Sequence, residues 1–322
     1  MPAASAARRP WAGSEVRCRH RDWVGLRACP GRWEFVTSTD RTEEELMRVA
    51  FQGEKGAYSE EALLKYLGPE VEPVGFPTLD DVVAAVIADN VDAGLMPAEN
   101  SVAGTVGRTY ELLIEYSLSI RADLVHPIRH NLLALPGVRL SDLRRVYSHP
   151  QALEQCRRFL TAHRLEPVPQ LDTAGSARLV AEQELRDTAA IASKRAASLY
   201  QLQILAYDIQ DLAGNATRFF LVGKEPQPAS NGPAKVSLAF SVPDVPGALY
   251  RALGVFAKRS LNLSKVESRP DRQRHWKYLF YLDYLAPDPK SVQEVLEELS
   301  SQTEFLRVLG VYTTWQASDG GE

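Results

Sequence analysis

Cysteine is scarce in this 322-residue chain: Cys18, Cys29 and Cys156 are the three, and their spacing makes neither a disulfide framework nor a zinc pattern. That usage suits a reducing compartment, so a cytoplasmic location is expected. Long hydrophobic runs are missing too. None approaches the roughly 20 residues of a membrane helix, which leaves no membrane partner to expect. Positive charge is not in excess, with 37 Lys and Arg against 41 Asp and Glu and a net charge of −4, so no basic field for nucleic acid exists. No P-loop, no Gly-x-Ser-x-Gly elbow, no metal-ligand cluster and no repeat is visible, so neither cofactor nor metal is expected.

What is present is ordinary globular material, 45% hydrophobic and 24% charged, over a length that suits two domains with cores of their own. Residues 1–46 stand apart. Arginine is dense there (Arg8, Arg9, Arg17, Arg19, Arg21, Arg27, Arg32), tryptophan is scattered, and no helix or strand period appears. We read 1–46 as a disordered extension, with Met47, directly before the first strand, as a candidate start. From 47 to 223 strands and helices alternate. Strands are expected at 48–51, 93–97, 119–134, 145–148, 167–171, 189–192 and 217–222. Helices are expected at 58–67, from the capping-type Thr78-Leu-Asp-Asp81 onward, and at 105–116, 150–162, 175–185 and 193–200. Pro127 suggests an edge or a crossing point inside 119–134. The alternation predicts an α/β sheet, and the late return through 203–210 and 217–222 predicts two lobes joined by a hinge. A Pro-rich linker, 224–233, precedes a βαββαβ pattern over 234–315, a ferredoxin-like unit with a basic loop at Asp271–His275.

Chemistry gathers at strand ends. Asn215-Ala-Thr217-Arg218-Phe219 opens an apolar strand, with a hydroxyl and a guanidinium on neighbouring positions. Alternation turns them to opposite faces, so both serve one site only where a cleft wraps the strand end. Three earlier segments run from a strand into a polar turn and a helix start: Pro97-Ala-Glu99-Asn100-Ser101, Ser148-His149-Pro-Gln151-Ala152 and Asp172-Thr173-Ala174-Gly175-Ser176. Exposed N–H groups at such ends favour a carboxylate ligand, while Ser101, Ser148 and Thr173 taken singly read as helix caps. Thr217 is a candidate proton relay or a structural strand residue. Arg218 is a candidate carboxylate ligand or the partner of a structural acid. His149 is a candidate general acid or an orienting donor, and Glu99 and Asn100 offer an acceptor and an amide.

These segments carry a resemblance. Gly53-x-x-Gly-Ala-Tyr-Ser59, Pro97-x-Glu-Asn-Ser101, Ser148-His-Pro-Gln-Ala152 with Gln155-Cys156, Asp172-Thr-Ala-Gly175 and Thr217-Arg-Phe219 resemble the ordered signatures of prephenate dehydratases. The C-terminal unit resembles an ACT regulatory domain, and the match spans roughly 47–315. The resemblance implies a two-lobed, periplasmic-binding-protein-like catalytic domain followed by the ferredoxin-like ACT unit. It implies that Thr217, Arg218, Asn100 and Gln151 act in catalysis. It implies that Glu99, Ser101, His149, Thr173, Ala174, Gly175 and Phe219 hold prephenate. Phenylalanine is implied as effector, bound by Pro246, Gly247, Ala248, Leu249, Glu267, Ser268, Arg269 and Pro270 in a homodimer or homotetramer. One departure is Gln201, where the family commonly has glycine. Two other readings share the pattern: turnover of arogenate in place of prephenate, and a two-lobed sensor that binds without catalysis.

Overall fold

The computed structural model describes residues 46–68, 70–226, 232–271 and 277–316. The expectations for residues 1–45, for 227–231 of the linker and for 272–275 of the basic loop lie outside the described residues.

The first lobe takes β1 (Met47–Gln52), α1 (Tyr58–Leu67), β2 (Val71–Phe76), α2 (Leu79–Ile87), β3 (Ala93–Asn100), β4 (Gly104–Thr105), α3 (Gly107–Glu115) and β5 (Ser119–Pro127). The chain then crosses at Pro127, as its proline suggested, and builds the second lobe. That lobe holds β6 (Asn131–Ala134), β7 (Arg145–Ser148), α4 (Pro150–Gln155), α5 (Arg157–Ala162), β8 (Glu166–Pro169), α6 (Thr173–Glu182), β9 (Thr188–Ala192), α7 (Lys194–Leu199) and β10 (Gln203–Ala206). β11 (Ala216–Gly223) returns to the first lobe between β5 and β3. The last unit is β12 (Ala234–Ser241), α8 (Ala248–Ala257), β13 (Leu263–Pro270), β14 (Tyr278–Ala286), α9 (Pro289–Ser300) and β15 (Phe305–Tyr312), the expected βαββαβ order. A short β16 (Thr314–Gln316), which the sequence did not suggest, adds to the first-lobe sheet beside β5.

The first sheet runs β16-β5-β11-β3-β1-β2, with β4 beside β3; the second runs β10-β6-β9-β7-β8; the third runs β13-β14-β12-β15. β1, β2 and β3 are parallel, as are β7, β8 and β9, so their C-terminal ends face the space between the lobes. The first sheet is covered on both faces. Val49, Phe51, Leu63, Phe219 and Leu221 pack together on the α1 side. Ala50, Val82, Tyr110, Phe220 and Val222 pack on the other, where Tyr281, Leu309 and Tyr312 of the C-terminal unit join them. β15 lies so close to β5 that a Cβ on Gly310 would run into the Ile120 carbonyl. Glycine is required there by the approach of two backbones.

Several element limits differ from the expectation, each for a local reason. The strand expected over 119–134 is two strands in two sheets. The helix expected over 150–162 breaks at Cys156, whose φ −114, ψ 18 ends α4 and opens α5. The helix expected from 105 begins at Gly107, because residues 104–105 pair with β3 instead. β2 escaped notice because Pro73 and Gly75 interrupt its pattern, which an edge strand tolerates. Gln201 sits at φ +54, a left-handed position, which is the physical reason that glycine serves better there. Among the described residues no helix is long and apolar enough to cross a membrane.

Candidate active site

A cleft of about 1010 Å³ opens between the lobes. Its first-lobe wall comes from the turn after β1 (Gln52 to Ser59), from Gly75–Pro77, from Pro97 and Asn100 at the end of β3, and from Thr217 and Phe219 on β11. Its second-lobe wall comes from His149, Gln151 and Gln155 after β7, from Leu171–Thr173 and Arg178, and from Leu199 and Tyr200. Ile128 and His130 close the floor at the crossing segment.

At the centre of the first wall a buried amide is fixed completely. Asn100 Oδ1 accepts from the backbone N–H of Val102 (3.0 Å) and Ala103 (2.9 Å), which holds the turn after β3. Its Nδ2 donates to Asn215 Oδ1 at 2.9 Å, to the Ala216 carbonyl at 3.2 Å and to Thr217 Oγ1 at 3.0 Å. The Thr217 oxygen is therefore an acceptor toward Asn100, and its own proton is left to point elsewhere. Thr217 is 9% exposed, and Phe219 beside it on the same face gives the cleft an apolar wall.

From Asn215 the network passes into the second lobe. Asn215 Nδ2 donates to Gln155 Oε1 at 2.9 Å, and His130 Nε2 meets the same oxygen at 2.8 Å. His130 Nδ1 meets the Tyr58 hydroxyl at 2.8 Å. Burial holds the His130 pKa below its ordinary value, against the hydrogen bond to Gln155, so the ring is neutral near pH 7. Gln155 Nε2 is buried and has no hydrogen-bond partner among the described residues. Tyr58 and Gln155 fall within the signature segments, whereas His130 stands at a strand crossing without a pattern of its own.

Arg218 does not enter the cleft. Its side chain leaves β11 on the opposite face, where Nε meets Asp123 Oδ2 at 2.8 Å, Nη1 meets Asp283 Oδ2 at 2.6 Å and Nη2 donates to the Tyr312 hydroxyl at 2.9 Å. Lys235 Nζ adds a second cation at 3.0 Å from Asp123. Burial works against the guanidinium charge, and Tyr312, Asp283 and Asp123 more than offset it, so Arg218 stays charged. The expected carboxylate ligand is instead the bolt between the catalytic sheet and the C-terminal unit. The period-2 rule turned it away from Thr217, and the cleft does not wrap the strand end.

Two more expected cleft residues are spent elsewhere. Glu99 pairs with Lys265 of β13 at 3.2 Å, on the side away from the cleft. Ser101 Oγ accepts from Ala216 N at 3.0 Å and holds the segment before β11. Several N–H groups of the polar turns are already spent. Gly175 N donates to Asp172 Oδ1 at 2.6 Å, Gln151 N to His149 Nδ1 at 3.3 Å, and the N–H groups after Asn100 to its own side chain. Ala174 is fully buried, and Gly175 lies under the Asp172 carboxylate, so of that trio Thr173 alone lines the cleft. The lysine and arginine lining the cleft are Lys55 and Arg178, neither of them among the expected site residues. Glu54 and Lys55 sit between Gly53 (φ 119) and Gly56 (φ 92), in a turn whose backbone glycine permits.

In the C-terminal unit, Gly247 takes φ 78 at the start of α8, with Pro246 before it and Ala248 and Leu249 in the first turn. Glu267 accepts from Thr105 Oγ1 at 2.6 Å and pairs with Lys265 (2.9 Å) and Arg269 (2.8 Å). Arg269 Nη2 reaches the Thr105 carbonyl at 3.3 Å. The Glu267–Pro270 segment thus lies against the first lobe. No hydrogen bond or ion pair joins it to Pro246–Leu249 among the described residues.

Comparison with known proteins agrees with this architecture. The family model described as prephenate dehydratase matches residues 49–227, and that of the ACT domain matches 236–303. A relative from Arabidopsis thaliana, arogenate dehydratase/prephenate dehydratase 2, chloroplastic, is 44% identical over 277 residues, covering 83% of this chain and 72% of its own. The crystal structure of prephenate dehydratase from Arthrobacter aurescens in complex with L-Phe is 32% identical with a TM-score of 0.76, covering 83% of this chain and 90% of that one. The structure of GqqA, described as a novel type of quorum quenching acylase, is 34% identical with a TM-score of 0.76, covering 83% and 98%.

Proposed function

The chain belongs to the prephenate dehydratase family, and we propose that it is a carbon–oxygen lyase that converts prephenate to phenylpyruvate under feedback by phenylalanine. The prephenate dianion and one proton become the phenylpyruvate monoanion, CO2 and water. The ring carboxylate leaves as CO2, its bonding pair passes through the diene, and the C4 hydroxyl departs as water. Aromatisation drives the step, so the protein has to orient the ring and supply a proton to the leaving oxygen.

The observation that carries this reading is the Asn100–Thr217 hydrogen bond at 3.0 Å on the cleft wall. Because Thr217 accepts from Asn100, its proton is the one aimed at the leaving oxygen, and the amide stabilises the charge that grows on Oγ1 as it donates. Phe219 is the wall against which the ring stacks, and desolvation there favours loss of the ring carboxylate. Gln151, His149 and Thr173 stand opposite as polar contacts for the rest of the substrate. Mixing the protein with prephenate should generate the alkaline absorbance of phenylpyruvate, and Thr217→Ala should slow it by about 100- to 10,000-fold with folding intact. Wild-type rates in that variant would remove Thr217 from the mechanism.

Regulation is assigned to residues 234–315. The N–H groups opening the ten-residue α8 at Gly247 suit a carboxylate. A ligand ammonium that recruits Glu267 has to release Thr105 and Lys265, which gives effector binding a direct hold on the first lobe. We expect phenylalanine to inhibit with a coupling of about 1–3 kcal/mol. Calorimetric titration into wild type and a Glu267→Ala, Gly247→Val double variant tests the assignment, and unchanged binding and inhibition would refute it. A homodimer or homotetramer, to be weighed by light scattering, is the assembly proposed for this response. A reducing, cytoplasm-like compartment fits Cys156, which is free, buried and carries a thiol pushed up to about 12 by that burial.

A further inference from the structure

We propose that the Glu54–Arg178 ion pair reads the head group of the substrate side chain and favours the α-amino acid form, arogenate, over the α-keto acid form, prephenate. This rests on the dehydratase reading above and adds the group that discriminates between prephenate and its amino analogue arogenate.

The charged side chains lining the cleft are Glu54, Lys55, Asp172 and Arg178. Asp172 is occupied as the cap of α6, and the N–H groups of Gly175, Gln151, Val102 and Ala103 are taken by side chains of their own turns. The charged side chains left to meet a charged head group are the other three. Arg178 on the second lobe grips Glu54 on the first with two parallel bonds, Nε to Oε2 at 2.6 Å and Nη2 to Oε1 at 2.9 Å. Arg178 Nη1 also meets Glu182 Oε2 at 3.0 Å, and the Arg178 and Glu54 side chains remain 41% and 40% exposed, within reach of a ligand that competes for these bonds. The hydrogen bond from Arg178 to Glu54 lifts the guanidinium pKa, so Arg178 stays charged.

The pair stands at the right remove from the reacting end. β1 is separated from β11 by β3 alone, and Pro97 of β3 is paired with Phe219. Two strand spacings place the turn after β1 roughly 10 Å from Phe219. That is comparable with the span of a six-membered ring stacked on Phe219 and bearing a three-carbon side chain.

An amino acid head group offers a carboxylate and an ammonium, the complement of a guanidinium beside a carboxylate. Arg178, with the exposed Lys55 nearby, takes the substrate carboxylate, and a free lone pair of Glu54 accepts from the ammonium. A keto acid offers the same carboxylate but no cation. Glu54 then faces a like charge, at a cost in a half-exposed site of about 10- to 100-fold in relative affinity.

Full-length wild type, Glu54→Gln and Glu54→Asp should be assayed side by side with arogenate and prephenate. We expect Glu54→Gln to lower the arogenate-to-prephenate ratio of kcat/KM by about 10- to 100-fold, chiefly through KM, since the head group lies away from the breaking bonds. Glu54→Asp keeps the charge and should keep the wild-type order. If the pair merely ties the lobes together, Glu54→Gln will depress both substrates alike and leave the ratio unmoved, and the inference falls. A wild type that turns over prephenate but not arogenate also overturns it while leaving the dehydratase reading standing. Turnover of neither substrate brings down both.

Discussion

Replacing Arg218 by methionine separates two neighbours on one strand. Arg218 is 11% exposed on its side chain, while Asp123 and Asp283 are 0% and 2% exposed. With Lys235 the cluster balances two cations against two carboxylates; Ser237 donates to Asp283 Oδ1, and the Tyr312 hydroxyl accepts from Arg218 Nη2. The methionine stem would still cover Phe220, over which the guanidinium now lies at 4.8 Å. The charge would be gone, leaving two buried carboxylates with one lysine, and Asp123 Oδ1 already lacks a hydrogen bond among the described residues. Removing one partner of a buried pair costs about 3–5 kcal/mol. For a cooperative unit of this size that lowers the melting temperature by roughly 6–20 °C. Because the cluster joins the catalytic sheet to the C-terminal sheet, calorimetry should show the single transition split as the two sheets come apart. The substrate KM at a permissive temperature should stay within a few-fold of wild type. A normal melting curve with KM raised tenfold or more would refute the reasoning and return Arg218 to the cleft.

Other expectations follow from single contacts. His126 is buried beside Thr217 on the neighbouring strand, and burial lowers its pKa from 6.5 to about 4. The unfolded chain therefore binds a proton between those values that the native chain refuses. Stability is lost as pH falls through that window, by on the order of 3 kcal/mol from this group, and His126→Asn should flatten that part of a denaturation-against-pH curve. Asn100→Ala frees the Thr217 hydroxyl to rotate and orphans two turn N–H groups; it should cut kcat by about 100-fold, and a loss confined to KM would argue against the orienting role. Gln201→Gly relieves a left-handed backbone at an exposed helix end and should raise stability by up to about 1 kcal/mol in urea unfolding, whereas a loss would mean that the Gln201 side chain makes a contact worth more than the strain.

The period rules read most of the architecture, because alternation and capping are local. Thr78 accepts from Asp81 N as its capping pattern implied, and β11 returns between β3 and β5 as the late apolar strand required. The same rules held the warning about Arg218, since residues 217 and 218 had to part. Which face met solvent and which met a second domain depended on tertiary packing. Glu99 illustrates the same gap, since Lys265 lies 166 residues further along. Arg178 and Glu54 are 124 residues apart, and neither position carries a pattern of its own until two lobes bring them together. The polar turns were legible as turns; that their N–H groups would be consumed by Asn100, His149 and Asp172 was a matter of rotamers.

β16 gives the first sheet a dependence on the far end of the chain. β5 is paired on one side by β11 and on the other by residues 314–316, which come after the whole C-terminal unit. A polypeptide cut within the linker would therefore expose the rim of β5 at residues 123–125, N–H and C=O groups able to recruit a foreign strand. On a ribosome that rim stays bare until the regulatory unit has been made. The regulatory unit is in this sense a built-in chaperone for the catalytic sheet, and stripping it off to obtain an unregulated catalyst invites aggregation unless the rim is given a lysine or a proline in exchange.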